Sequence, residues 1–130
     1  MSNVQVKLFL CVDCGGSKTS LSIADANGRI VAHARGGPSN FAYLGVTNFI
    51  ITVQSTIEEA LKVYASTLEP EASSNFPVSL PVKAPIFAAA WLGISGVDSP
   101  ANVATLTPIL SELLSIPPGP SLSICNVPSC

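Results

Sequence analysis

The pattern of apolar and polar positions predicts three strands at the start of the chain. A first apolar run spans residues 4–13 and ends at a pair of glycines, a second alternates serine and apolar positions over residues 20–23, and a third spans residues 29–34. Asn27-Gly28 lies between the second and third runs and is a strong hairpin signal, because both central positions of a tight turn favour positive φ. The pattern therefore predicts three antiparallel strands joined by hairpin-like turns.

A long amphipathic helix is predicted after a loop at residues 36–40. Apolar residues recur there at three- and four-residue steps, which places them on one face of a helix that ends before Pro70. The next segment, residues 69–85, holds four prolines and little periodicity, so we expect an exposed Pro/Ser-rich connection. The predicted buried face of the helix consists of Val46, Phe49, Ile50, Val53, Ile57, Ala60, Leu61 and Tyr64.

The remainder of the chain predicts a strand, a helix and a short last strand. Residues 86–95 form an apolar run that favours a buried parallel strand, although its periodicity also fits a helix. Ser99-Pro100 is a helix-start signal, and Thr107-Pro108 repeats it, which predicts a broken or kinked helix. With a last strand at residues 121–125, the order predicts an α/β fold in which crossover helices cover a mixed five-stranded sheet.

Composition and charge exclude several classes of partner. A chain of 130 residues is sufficient for one domain, and its 6 basic and 8 acidic residues form no run of one sign. We therefore expect neither nucleic acid nor a membrane as a partner. The longest apolar stretch, residues 86–94, is far shorter than the roughly 20 residues that span a bilayer, and no signal peptide is evident. These observations favour a cytoplasmic protein.

The four cysteines, at positions 11, 14, 125 and 130, do not have the spacing of a zinc site. The first pair belongs partly to a predicted strand, and the second pair occupies the last six residues without a nearby histidine. Reduced thiols are the expectation for a cytoplasmic protein.

The stretch "VDCGGSKTS" at residues 12–20 is the strongest candidate for a functional site. It is not a Walker loop, because Ser17 separates Gly16 from Lys18 and a strand pattern follows instead of a helix. The dinucleotide fingerprint fails for the same reason. What remains is a glycine pair at the bend between two antiparallel strands, where a phosphate could approach the backbone N–H groups. A tight turn with a solvated lysine is an equally good interpretation of this pattern taken alone.

Side chains around this bend would suit a magnesium nucleotide. Asp13 could hold Mg²⁺ through water, since this cation prefers oxygen ligands and keeps several waters. Ser17 and Thr19 could donate hydroxyl protons to phosphate oxygens, and Lys18 could supply positive charge.

The segment "VDCGGSKTSLSIADANGRIVAHARGGPSN" resembles the amino-terminal phosphate-binding region of the N-acetylglucosamine kinases and of the BadF/BadG/BcrA/BcrD-type ATPases. These families belong to the superfamily of sugar kinases, actin and Hsp70. The resemblance extends over residues 4–124 and includes "WLGISGVDSP". It implies a ribonuclease-H-like lobe, one of the two lobes that hold ATP between them.

The resemblance also implies roles for individual residues. The loop "PSN" is similar to the stretch that meets the sugar, so Ser39 and Asn40 would bind sugar hydroxyls; for Asn40, an Asx turn is the alternative interpretation. Asp13 would serve the Mg²⁺ site. The residues that would face the ATP phosphates are Gly15, Gly16, Ser17, Lys18 and Thr19.

The chain departs from the family pattern near its end. Where the family has the aspartate that accepts the proton of the attacking sugar hydroxyl, this chain has Val127, and a valine cannot perform that role. We therefore interpret residues 1–126 as an amino-terminal ATPase lobe, residues 127–130 as a tail foreign to the family, and the second lobe as absent. No catalytic residue is assigned.

Three functional expectations follow from the resemblance. The first is an N-acetylglucosamine kinase-like lobe, inactive by itself, with ATP, Mg²⁺ and an amino sugar as ligands. The second is a non-catalytic nucleotide-binding fragment, and the third is a BadF/BadG-type ATPase that activates a partner enzyme. Members of these families are often homodimers.

Overall fold

A mixed five-stranded sheet organises this computed structural model, which describes residues 7–97 and 99–126. The strands are β1 (Leu8–Cys14), β2 (Thr19–Ala24), β3 (Ile30–Gly36), β4 (Phe87–Ile94) and β5 (Leu122–Asn126). The helices are α1 (Phe41–Ser66), α2 (Pro70–Asn75) and α3 (Pro100–Leu114). The strand order is β3-β2-β1-β4-β5, and β2 is antiparallel to both β1 and β3. The predicted mixed α/β sheet is therefore confirmed.

Three strands run parallel and end at the same edge of the sheet. β4 pairs in parallel with both β1 and β5, and the register places Cys14 beside Ile94 and Ile94 beside Asn126. We call this row of three strand ends the carboxyl edge. Loops that leave parallel strands at a common edge are brought together, which is where α/β folds place their ligands.

One face of the sheet is covered and the other is open. Along β1, Leu10, Val12 and Cys14 are buried in a single core that also contains residues of α1 and α3. The alternate residues Cys11 and Asp13 are exposed on what we call the outer face. This alternation follows from the two-residue repeat of a strand, and it sends Asp13 to the open side of the sheet.

The predicted apolar face of α1 is confirmed. Its central residues are fully buried, and Val46, Ile50 and Tyr64 are partly buried against the core. The helix begins five residues earlier than its first predicted apolar residue, because Phe41 starts a turn that Gly45 separates from the rest with φ 76° and ψ 173°. The fully buried members of the predicted face are Phe49, Val53, Ile57, Ala60 and Leu61.

The hairpin between β2 and β3 is present, but its turn differs from the predicted one. Only Gly28 of the Asn27-Gly28 pair has a positive φ, of 83°. A carboxylate oxygen of Asp25 accepts hydrogen bonds from the amides of Asn27 and Arg29, at 2.9 and 3.0 Å. The Asp25 side chain closes a turn that is wider than the predicted two-residue turn. Positive φ is therefore not needed at both Asn27 and Gly28.

The connection at residues 69–85 is more ordered than its composition suggests. It contains the short α2, and Leu80 and Val82 are buried in the core. The amide of Leu80 donates to a carboxylate oxygen of Glu58 on α1 at 2.8 Å. Isolated apolar residues between prolines carry no period, which is why the pattern does not predict this docking.

Helix α3 begins at the predicted Ser99-Pro100 signal, where the Ser99 hydroxyl accepts from the Asn102 amide at 3.3 Å. Of the predicted break or kink at Pro108, the break is wrong, because the helix continues through Pro108 to Leu114; the kink stays a prediction. Pro108 and Ala104 are both exposed. The carbonyl that proline leaves without an N–H partner therefore faces water, which reduces the cost of the interruption.

Candidate functional site

The bend at residues 15–18 joins β1 to β2 at the carboxyl edge. The strands are antiparallel, Cys14 lies opposite Thr19, and the Gly15 amide donates to the Lys18 carbonyl at 2.9 Å. Within the described residues, the amides of Gly16, Ser17 and Lys18 donate no hydrogen bond. Consecutive free backbone N–H groups at a bend can bind an anion.

Gly16 leaves open space above this bend. A Cβ atom placed at Gly16 would have no protein atom within 4 Å, whereas one at Gly15 would lie 3.1 Å from the Lys18 carbonyl oxygen. Gly15 is therefore needed for the tight return of the chain. Gly16 permits a ligand to approach the backbone closely.

Three predicted ligand side chains surround the bend and are exposed: Asp13, Ser17 and Lys18. Asp13 is the penultimate residue of β1 and projects from the outer face. Among the described residues, no group of three or more His, Cys, Asp or Glu side chains could hold a metal ion. A single carboxylate fits Mg²⁺ only where water and phosphate oxygens supply the remaining ligands, which is usual for this cation.

Thr19 and Ser39 are buried, unlike the three exposed side chains. Both are fully buried, and their hydroxyl oxygens are 2.5 Å apart. The Thr19 hydroxyl also donates to the Gly37 carbonyl at 2.8 Å, and the Ser39 amide donates to the Gly15 carbonyl at 3.0 Å. Because the two hydroxyls satisfy each other here, they could reach phosphate or sugar only after a local rearrangement, and their ligand-binding roles stay predictions.

Asn40 acts as the N-cap of α1. Its side-chain oxygen accepts a hydrogen bond from the Tyr43 amide at 3.2 Å, which agrees with the alternative interpretation of Asn40 as a capping residue. Its Nδ2 group makes no hydrogen bond with another described residue. The predicted sugar contact could be made through that nitrogen, or through the second lone pair of the side-chain oxygen, without loss of the cap.

A third loop, at residues 95 and 96, completes the group. The Ser95 amide donates to the Cys14 carbonyl at 2.8 Å, and the Ser95 carbonyl accepts from the Phe41 amide at 2.8 Å. We call residues 15–18, 37–40 and 95–96 the edge loops. The contacts of the third loop were not predicted; a glycine directly after a buried parallel strand is the signal that could have indicated it.

Two cysteines lie near the site, Cys11 exposed and Cys14 buried, and both thiols have a raised pKa. Burial raises the pKa of the Cys14 thiol to about 12; a hydrogen bond with Ser39 lowers it and Asp13 raises it. Burial, followed by Asp13, also raises the pKa of Cys11. Both are free thiols, but they lie on opposite faces of the sheet and do not converge on a common ligand. Cys125 is disulfide-bonded, so the expectation of reduced thiols is wrong there.

The position expected to hold the catalytic base, Val127, lies outside the described residues, as does the rest of the tail at 127–130. The described chain ends at Asn126 on the carboxyl edge. Among the described residues, no helix has both the length and the apolar character required to cross a membrane.

Comparison with solved structures identifies the fold. The chain is similar to a proposed N-acetylglucosamine kinase from Chromobacterium violaceum, with a TM-score of 0.61 and 24% identity over 93% of this chain and 35% of the kinase. It therefore spans about a third of that protein. A non-polymerising mutant of MamK bound to AMPPNP is a weaker neighbour, with a TM-score of 0.40, 19% identity, and coverage of 95% of this chain and 42% of MamK. No protein-family model and no curated protein matches the sequence.

Proposed function

We propose that this chain is the ATP-phosphate-binding lobe of a sugar kinase, and that phosphorylation of an amino sugar requires a second lobe. The fold supports the first part, since it is shared with one third of a proposed N-acetylglucosamine kinase. The amino sugar as phosphate acceptor is a part of the proposal that depends on the sequence resemblance. The cytoplasmic location depends on the short apolar runs of the sequence.

One observation carries the proposal. The bend at residues 15–18 presents three amides without internal partners beside Gly16, where there is open space, and it does so at the edge where three parallel strands end. A turn needed only to reverse the chain would not require a second glycine, because a Cβ at Gly16 meets nothing. Close approach of a ligand explains the residue better.

The residues of the bend would bind and orient the phosphates. The amides of Gly16, Ser17 and Lys18 would donate to phosphate oxygens, and the Ser17 hydroxyl and Lys18 ammonium would add a further hydrogen bond and positive charge. Mg²⁺ would neutralise the charge that develops on the phosphates. Asp13 would orient the water ligands of that ion. The chain supplies no assigned base, so we expect no turnover from these 130 residues alone.

Titration with magnesium nucleotide tests phosphate binding directly. We expect MgATP to shift the backbone amide signals of residues 15–18 in ¹⁵N-¹H NMR spectra, with smaller shifts elsewhere. Magnesium tripolyphosphate should shift the same amides, because the proposed contacts involve only phosphate. Adenosine alone should not.

A matched pair of variants separates binding from folding. Gly16→Val fills the open space above the bend and should weaken MgATP binding by tenfold or more, on the order of 1.4 kcal/mol. Ala26→Val places the same side chain in the exposed turn between β2 and β3 and should leave binding unchanged. Equal binding by both variants, or amide shifts confined to a different part of the chain, would refute the proposal.

A further inference from the structure

We propose that Thr19 and Ser39 are positioning residues: their buried hydroxyl pair fixes the conformation of the bend at 15–18 and so prepares its amides for a phosphate ligand. The role in phosphate binding depends on the proposed function. The structural content of the inference, the coupling of two edge loops through one pair of hydroxyls, can be measured without any ligand.

Both ends of the bend are held by the same loop. On one side, the Gly15 carbonyl accepts from the Ser39 amide at 3.0 Å. On the other side, the Thr19 hydroxyl donates to the Gly37 carbonyl at 2.8 Å and lies 2.5 Å from the Ser39 hydroxyl. Because the amides of Gly16, Ser17 and Lys18 donate no hydrogen bond within the described part of the chain, their direction depends on these two ends.

The protons of this network have a definite direction. A hydroxyl has one proton, and that of Thr19 goes to the Gly37 carbonyl, so Ser39 must donate its own proton to Thr19. The chain of donors therefore runs from Ser39 through Thr19 to the Gly37 carbonyl. Among the described residues, no buried side-chain nitrogen or oxygen lacks a hydrogen-bond partner.

Burial makes the network sensitive to the loss of one member. Thr19 and Ser39 each have no exposed surface, so water cannot replace a missing hydroxyl without a rearrangement. Removal of the Thr19 hydroxyl leaves the buried Ser39 hydroxyl without an acceptor and the Gly37 carbonyl without this donor, and an unsatisfied buried group is costly. The loop at 37–40 and the bend would then separate locally. Removal of the Ser39 hydroxyl breaks only the bond between the two side chains, because Thr19 still donates to Gly37.

The test compares Thr19→Val, which keeps the shape and removes the hydroxyl, with Thr19→Ser, which keeps the hydroxyl. Thr107→Val is the control, because Thr107 is partly buried and its hydroxyl donates to the Val103 carbonyl at 2.7 Å within α3, which contributes no edge loop. Amide hydrogen exchange is measured without ligand at Gly15 and Ser39, whose N–H groups donate to Lys18 and Gly15. MgATP titration is the second measurement.

We expect Thr19→Val to accelerate exchange at both amides about tenfold and to weaken MgATP binding by a similar factor, with recovery in Thr19→Ser and no change at these amides in Thr107→Val. Ser39→Ala should change both quantities in the same direction but less, because Thr19 still donates to Gly37, and it serves as the test if Thr19→Val does not fold. Unchanged exchange in both variants would overturn the coupling. Faster exchange with unchanged MgATP affinity would overturn the positioning role. Failure of the wild-type chain to bind MgATP would instead count against the proposed function, while the exchange data still decide the coupling.

Discussion

Gly96 packs directly against the side chain of Asn40: a Cβ atom at position 96 would lie 2.6 Å from the Asn40 side-chain oxygen and 2.6 Å from the Ala42 amide nitrogen. Gly96 also has φ of 88°, which disfavours any side chain. We predict that Gly96→Ala lowers the free energy of unfolding by about 2 kcal/mol or more, measured by urea denaturation.

Gly37→Ala is the control for this prediction. Gly37 belongs to an edge loop as well, but a Cβ there would meet no atom within 4 Å. The substitution should change stability by less than about 0.5 kcal/mol. Equal free energies of unfolding for the two variants would show that close packing at Gly96 does not cause the loss of stability.

Glu58 should contribute to the stability of the fold, whereas the adjacent Glu59 should not. One carboxylate oxygen of Glu58 accepts from the Leu80 amide at 2.8 Å and from the Gln54 side chain at 3.3 Å, which holds the connection against α1. Glu58→Ala leaves the Leu80 amide without a partner and should cost about 1–3 kcal/mol in thermal or urea unfolding. Glu59→Ala, at an exposed position, should have an effect within about 0.5 kcal/mol.

Alkaline pH should destabilise the protein through Cys14. The folded-state pKa of this thiol is raised from 9.0 to about 12, so between these values the unfolded chain loses a proton that the folded chain retains. Stability therefore falls as pH rises above 9, by up to about 1.4 kcal/mol per pH unit, and is unaffected by this group below pH 9.

Other groups also titrate in this range, so the measurement is a difference between variants. Unfolding free energies are compared from pH 8.5 to 10.5 for Cys11→Ser and for Cys11→Ser/Cys14→Ala. The variant that retains Cys14 should have the steeper decline. Parallel curves would show that Cys14 ionises normally in the folded protein.

Local patterns were sufficient to predict most of the sheet and the main helix. The alternation in β2 and the three- and four-residue steps in α1 reflect burial of one face, so they are visible in the sequence. Pro108 does not end α3, although a proline removes one N–H donor and its ring crowds the carbonyl four residues earlier; the loss of that hydrogen bond costs less where the carbonyl is not buried. Whether it is buried depends on packing that the local sequence does not contain.

The candidate site was predicted only in part, for a physical reason. The bend itself is local, and its glycines are visible as a motif. The pairing of Thr19 with Ser39 joins residues 20 positions apart, and it decides that both hydroxyls face inward. Exposed threonine and serine hydroxyls would have been able to bind phosphate or sugar. Residue type alone therefore does not distinguish a ligand-binding residue from a structural one.

The interruption of α1 at Gly45 has a mechanical consequence. The turn at residues 41–44 is bonded to Ser95 through the Phe41 amide and capped by Asn40, and the Phe41 ring packs edge-on against Phe49 in the core, with centroids 5.6 Å apart. Gly45 can absorb backbone rotation between the two helical segments at little cost. Any displacement of the loops upon ligand binding would therefore reach the core through the two aromatic rings and not through a rigid helix axis.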